Sequence, residues 1–372
     1  SYSDDLGRAW VTGNGGAYLD RIPNQSSKTF GGVEDKQWVA VNHIPGNRYQ
    51  DHVYAAWAVF NGSTTKVRMA ISRDRGQSFT KPVTLSAPAQ VGPAVTYVYP
   101  SVDAAGDVYV SVVSFPPSGK TSVIYVSRSS DDGRSWSRFV PVTTVGTLPG
   151  CCLPNTTFRD GIVENFAASP TYPGHLYLTY EDWDGEQFDV KFTQSTDAGV
   201  TWTEPVVVND NTDPTATDQF QPSVAAGPDG AVAVAFYDRR AACPADPSVL
   251  PEHVGRTNFC IDTSLQAFKD SGAGAVPVGG NVRISEFTWD PEQPGQTIDG
   301  IDQMACAAHQ DPCTTNAFIG DYFGLAISGG NIYALMVSTH YPSGVTADHG
   351  GPVYYQQQVL ATVPRAEFGT DY

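Results

Sequence analysis

Positive charge is scarce in this chain. Of its 372 residues only 22 are Lys or Arg, against 39 Asp or Glu, and the net charge is −17. Nucleic-acid phosphates need a basic surface, so nucleic acid is excluded as a partner. Long apolar runs are missing as well. No stretch reaches about 18 apolar residues, so the sequence offers no membrane-spanning helix. Extended helical periodicity and heptads are absent, and no Cys/His spacing of the zinc type occurs. The chain opens on Ser1, with neither Met nor a signal peptide, which reads as a mature or trimmed form.

What the chain does contain suits short strands and tight turns. Gly 36 and Pro 27 stand beside 11% aromatic and only 16% charged residues. A chain this long buries a large core, and one domain over 1–372 is expected. The six cysteines form an even set, as in oxidising compartments. Cys243 and Cys260 flank one insertion and Cys306 and Cys313 flank a short loop, so both pairs are expected to bridge. Cys151 and Cys152 are adjacent, and either a vicinal bridge or two thiols fits them. Sequons begin at Asn24, Asn61 and Asn155. Together these features lead to the expectation of a secreted, monomeric protein.

One phrase recurs four times: Ser3-x-Asp5-x-Gly7-x-x-Trp10, Ser72-x-Asp74-x-Gly76-x-x-Phe79, Ser129-x-Asp131-x-Gly133-x-x-Trp136 and Ser195-x-Asp197-x-Gly199-x-x-Trp202. Ser and Asp side chains bond the turn's own backbone, Gly takes a left-handed position, and the aromatic is expected to pack into the core. The phrase is therefore a hairpin-closing device rather than a catalytic motif. A second repeat runs in phase with it. Inner strands open near Gln37, Val98, Val163, Phe220 and Tyr322, and second strands follow at Val53–Val59, Val108–Ser114, Leu176–Tyr180, Ala231–Tyr237 and Ile332–Val337. Four-stranded repeats of this length are propeller blades.

The fold class is thus all-β, a β-propeller of four-stranded antiparallel blades. Five are counted, and insertions near 241–258 and 290–319 leave room for six or seven. Residues 8–12 are expected as the outer strand of the last blade, closing the ring. The recurring phrase resembles the Asp-box, or BNR repeat, of sialidases and related β-propellers, over most of the chain.

Strand direction sorts the polar residues. The first-to-second and third-to-fourth turns share one face, which places His43, His52 and His175 on the surface there. The other face collects longer, more polar loops and the starts of the inner strands, and the site is expected on it. Asp35, Asp218 and Asp321 begin three of those strands. Carboxylates converging on an axis suit a Ca²⁺ ion. The alternative is that each bonds backbone N–H groups at its strand start.

The sialidase resemblance assigns roles residue by residue. Arg21-Ile22-Pro23 is similar to the family's R-I-P motif, and Tyr322 stands where the family has its nucleophile. Glu164 stands where it has the activating Glu, and Asp35 where an acid/base Asp would fall. The family's second and third arginines have no counterpart after Glu164 or around Phe220–Val224. That departure turns the reading towards β-elimination on an acidic, uronate-containing oligosaccharide or polysaccharide, a chemistry also found on propeller folds. There a base removes an acidified proton while Arg or a cation neutralises the carboxylate. His340 is the expected base, with Tyr322 and Glu164 as its catalytic partners. Arg239, Arg240, Arg159, Arg21, Trp38, Trp183 and His349 are the expected substrate contacts. A salt bridge to Asp238 is the alternative role for Arg239 and Arg240. A sialidase-like exo-glycosidase and a non-catalytic lectin remain alternative functions.

Overall fold

A computed structural model describes residues 2–3, 5, 7–17, 19, 31–61, 64–115, 121–150, 152–156, 158, 160–161, 164–212, 216–244, 252–291, 305–306, 317–338, 342–346, 352–354, 357–369 and 372. Its strands follow the alternation of Val, Ala, Tyr and Ile seen in the sequence. The first sheet holds β1 (Gly31–Val41), β2 (Val53–Asn61), β3 (Thr64–Ser72) and β4 (Val83–Thr84). The second holds β5 (Val95–Val102), β6 (Val108–Ser114), β7 (Thr121–Ser129) and β8 (Val140–Gly146). The third holds β9 (Glu164–Ala168), β10 (Leu176–Trp183), β11 (Phe188–Ser195) and β12 (Val206–Val207). The fourth holds β13 (Gln219–Ala226), β14 (Ala231–Asp238), β15 (Asp262–Asp270) and β16 (Ala275–Arg283). After a short pair, β17 (Ala305–Cys306) with β18 (Ala317–Phe318), come β19 (Gly324–Ser328) and β20 (Asn331–Ser338). A second short pair, β21 (Pro342–Thr346) with β22 (Pro352–Tyr354), precedes β23 (Gln357–Pro364), which joins β19 and β20.

In every large sheet the strands lie in chain order, each antiparallel to the last. This is a β-propeller of five blades, the fifth with three strands among the described residues. The expected fourth strand of that blade is corrected. Tyr2 pairs with Val11, and the Asn14 amide donates to the Gln77 carbonyl, so this segment closes on itself and leans on the first blade. The turn Ser3–Trp10 folds its two flanks together before residues 8–12 can reach another sheet.

Contacts gather the chain into two compact units. One comprises Ser1–Val145, Phe166–Tyr177 and Gln194–Thr203, and the other Gly146–Asn165, Leu178–Thr193 and Glu204–Tyr372. The first has a core of Tyr54, Val67, Met69, Val98, Val108, Val110 and Val112. The second is built on Phe158, Phe220, Ala233, Tyr237, Leu265, Ile332 and Met336. Each fully buried large side chain stabilises its unit by about 1.5–3 kcal/mol.

The four repeated turns share one hydrogen-bond scheme, all in the first unit. The Ser hydroxyl donates to the Asp carboxylate at 2.7–2.9 Å and accepts the Gly amide at 2.8–3.0 Å. The same carboxylate accepts the amide four residues on. Arg75–Gly76, Asp132–Gly133 and Ala198–Gly199 are left-handed pairs. Gly133 lies in the left-handed region at φ 71, where a side chain is strained, and a Cβ there would also have to push aside the tip of Ile71, whose Cδ1 is 2.3 Å away. Phe79 and Trp136 pack against the core as expected. Trp10 does not, being 67% exposed.

A second recurrent device went unread in the sequence. Lys36, Tyr97 and Gln221 are left-handed at φ 56, 49 and 46, each at a register shift in the inner strand of its blade. Such β-bulges re-aim a side chain where regular pairing would not.

Candidate functional site

The site is built where β13 starts and β14 ends, within the second unit. Gln219 pairs with Asp238 across these strands, and the Arg239 amide donates to the Asp218 carbonyl. The bulge two residues along turns Gln221 inward, where it is almost fully buried. Its amide donates to Glu181 Oε2 at 2.7 Å. Its side-chain nitrogen donates to the Gly320 carbonyl at 2.9 Å and to Asp160 Oδ1 at 3.3 Å. One left-handed glutamine thus ties β10, the loop of Asp160 and the loop leading to Asp321 and Tyr322.

Asp160 is the residue this arrangement perturbs. Its Oδ2 is buried and has no hydrogen-bond partner among the described residues. Burial pushes its carboxyl up to about 7, with the charges of Asp218 and Asp321 adding to the effect. The Gly161 amide and Gln221 oppose the rise. A carboxyl in that state carries a proton near neutrality and is able to give it away. Sequence reasoning passed over Asp160, because the stretch Phe158-Arg-Asp160-Gly161 reads as an ordinary turn. Its one signal was an Asp-Gly pair just ahead of an inner strand.

Asp218 is also raised, first by burial, with Arg239 pulling the other way. Its Oδ1 accepts the Phe188 amide at 3.1 Å and its Oδ2 faces Arg239 Nη1 at 3.2 Å. Arg239 is fully buried and also donates to the carbonyls of Pro154 and Asn258. Its partner is thus Asp218, whereas the sequence pointed to Asp238 or to substrate. Arg240 does pair with Asp238, its Nε 2.6 Å from the carboxylate, and also with Asp210. Both guanidinium groups are bound up in the protein, a geometry that suits scaffold ion pairs better than a grip on substrate.

The other expected residues divide into three groups. Glu164 is fully buried at the start of β9, and Tyr322, 38% exposed, precedes β19 beside the half-buried Asp321. Trp183 stands edge-on to Phe188 at 5.2 Å. In the first unit, Trp38 meets Tyr99 edge-on at 4.9 Å, and Asp35 accepts the Lys36 amide at 2.7 Å. His340, His349, Arg21 and Arg159 lie outside the described residues, as do the Cys313 and Cys306 side chains and Cys151.

The calcium expectation concerns Asp35, Asp218 and Asp321. A Ca²⁺ ion takes 6–8 oxygens, but both Asp218 oxygens already face N–H donors. Among the described residues no group of three His, Cys, Asp or Glu stands where it could hold a metal. The Cys243–Cys260 bridge is formed, and Cys152 is disulfide-bonded. Two histidines expected at the surface are corrected. His175 is buried, and His52 bonds Asp132 at 2.8 Å behind little solvent. His43 is exposed.

Solved structures give the chain its company. The α-L-arabinofuranosidase Arb93A of Fusarium graminearum, bound to an iminosugar inhibitor, is 14% identical over 92% of this chain and 99% of its own, with a TM-score of 0.49. The sialidase of Trypanosoma rangeli, bound to sialic acid, is 15% identical over 98% of this chain and 48% of its own, at 0.47. An α-L-arabinanase of Penicillium chrysogenum, bound to arabinobiose, is 14% identical over 90% and 94%, at 0.40. The likeness is one of fold. No protein-family model and no curated protein matches the chain.

Proposed function

We propose that this protein is a carbohydrate-active enzyme that hydrolyses a glycosidic bond, with Asp160 as its proton donor. The observation that carries this reading is the Asp160 carboxyl itself, held by Gln221, with a buried Oδ2 that has no partner among the described residues and a protonation range near neutrality. Glycoside hydrolysis needs two carboxyl groups, one protonated and one ionised. Asp160 gives its proton to the leaving oxygen as the bond to the anomeric carbon breaks. Asp321, half-buried and close enough for its charge to act on Asp160, takes a proton from the attacking water. Tyr322, next in the chain to Asp321, is 38% exposed. Proton donation of this kind contributes about 10²–10⁴ in rate.

The uronate-lyase reading rests on other groups: His340 as base, and arginines that neutralise a carboxylate. Arg239 and Arg240 are engaged by Asp218, Asp238 and Asp210, so hydrolysis is preferred. An acidic glycan as substrate would draw on Arg21 and Arg159. Secretion is part of the proposal, supported by the Cys243–Cys260 bridge.

The test is a digest of neutral and acidic glycans, among them arabinans, sialosides and uronate polymers, followed by mass analysis of the products. Hydrated products that vanish with Asp160→Asn support the reading. Unsaturated uronates would replace it with the lyase, and binding without cleavage would replace it with a lectin.

A further inference from the structure

Asn258 lies in none of the site's strands, yet several of the site's hydrogen bonds end on it. It is buried and left-handed at φ 62, two residues before Cys260. Its side-chain oxygen accepts the Asp218 amide at 2.9 Å. Its own amide donates to the Arg239 carbonyl at 2.9 Å, and its carbonyl accepts the Arg239 guanidinium. The Asn155 side chain donates to that same carbonyl at 3.4 Å. The segment that carries it is closed by the Cys243–Cys260 bridge. Two backbone bonds tighten the closure, Cys243 N to Arg256 O at 2.9 Å and Gly255 N to Cys243 O at 3.1 Å.

We propose that Asn258, locked in place by the Cys243–Cys260 bridge, is a positioning residue that fixes Asp218, Arg239 and the start of β13, and so sets where Gln221 holds Asp160. The inference rests on reading Asp160 as the proton donor. The mechanical path is short. Asp218 immediately precedes β13, and Gln221 is its third residue, at the bulge. If Asn258 lets go, Asp218 loses the acceptor for its amide and Arg239 loses its carbonyl cradle. The bulge then has no fixed end, and water reaches the Asp160 loop. Asp218 and Asp321 are the charged groups that act on Asp160 there, and Glu181 reaches it through Gln221.

The test reads Asp160 directly, without substrate. Carboxyl titrations are followed by ¹³C NMR on the full chain labelled at aspartate, with Asp160→Asn assigning the signal. Asn258→Gly keeps the left-handed backbone and removes the acceptor oxygen, so it tests the bond rather than the turn. The Asp160 midpoint should fall by about one pH unit or more, because admitted water weakens the burial that raises it. Asn258→Asp retains an acceptor oxygen and should keep the midpoint at or above the wild-type value. The Cys243→Ser/Cys260→Ser pair leaves Asn258 present but unlocked, and should lower the midpoint as Asn258→Gly does.

An unmoved or raised midpoint in Asn258→Gly, with melting alone affected, would make Asn258 merely structural and overturn the proposal. So would a fall in Asn258→Asp equal to that in Asn258→Gly. A wild-type protein that cleaves no glycan, yet shows the expected shifts, would sink the hydrolase reading and leave Asn258 as the residue that fixes the Asp160 carboxyl without a catalytic purpose.

Discussion

Asp132 lies in the turn after β7 and Asp160 in the loop ahead of β9, and their carboxyl groups move in opposite directions. Asp132 occupies a variable position of the third repeated turn and is fully buried. Burial alone would raise it. Three donors converge on it instead, His52 Nδ1 at 2.8 Å, Tyr54 Oη at 3.0 Å and Arg73 Nε at 2.7 Å, and these hold it below the usual carboxylate range. Among the described residues Asp160 meets the Gly161 amide and a 3.3 Å amide bond from Gln221, and two carboxylates act on it where Asp132 has cations. The same residue type becomes a clasp in one place and a proton store in the other. Desolvation acts on both, and the donors decide the sign.

The largest expected effect separates the two by activity. Asp160→Asn should cut glycan cleavage by about 10²–10⁴ while the protein stays folded. Its stability should change in a direction set by linkage. A carboxyl whose folded pKa is raised binds its proton more tightly folded than unfolded, so it lowers stability progressively as pH climbs from the unfolded range, about 3.9, towards about 7. Asp160→Asn removes that term. Thermal unfolding should show the variant gaining on the wild type from pH 4 to pH 8. A variant that loses stability at pH 8 would remove Asp160 from the role of strained proton store.

Asp132→Ala should do the reverse, leaving the chemistry in place and costing about 3–5 kcal/mol, the scale for breaking a buried ion pair. The sign here is the usual one for a paired carboxylate. The contribution is present above the unfolded range and is lost as pH falls through the depressed folded value. Urea unfolding at pH 7 and again near pH 3 measures it, and the gap between wild type and variant should narrow at the acid end. A constant gap would mean that packing, not charge, holds the clasp.

How much of this was legible beforehand follows the length scale of each interaction. The repeated turns were legible because every bond in them is local, from Ser to Asp to Gly within four residues. Strand positions were legible from alternation, and β6 has the expected bounds, Val108–Ser114. Asp132 was hidden because it fills a variable position, where Arg75 and Ala198 stand in the sister turns, and its partners lie 59 to 80 residues away. Gln221 was hidden because left-handed backbone is read from Gly and Asn, not from a glutamine forced there by a bulge. Arg239 was given the wrong partner, since neighbouring residues on an extended chain point to opposite sides and Asp218 lies across the strand pair. Asp160, the residue the site turns on, has no motif at all.

A pair of histidines supplies the finest test. His43 and His52 flank the same turn before β2 and were both expected at the surface. His52 is bonded to Asp132, so His52→Ala should cost roughly 1.5–3 kcal/mol, the range for a hydrogen bond to a charged group. The loss should vanish in a background that already carries Asp132→Ala, because the bond then has no acceptor. His43 is exposed, and its ring nitrogen lies 3.2 Å from the Val41 carbonyl. His43→Ala should stay within about 0.5 kcal/mol in either background, as surface changes do. Two alanine variants, two backgrounds and one urea titration each complete the cycle. If His43 and His52 prove equal, or if the His52 loss persists without Asp132, the clasp is not what stabilises the first unit. The contrast with Asp160 would then reduce to a difference in burial alone.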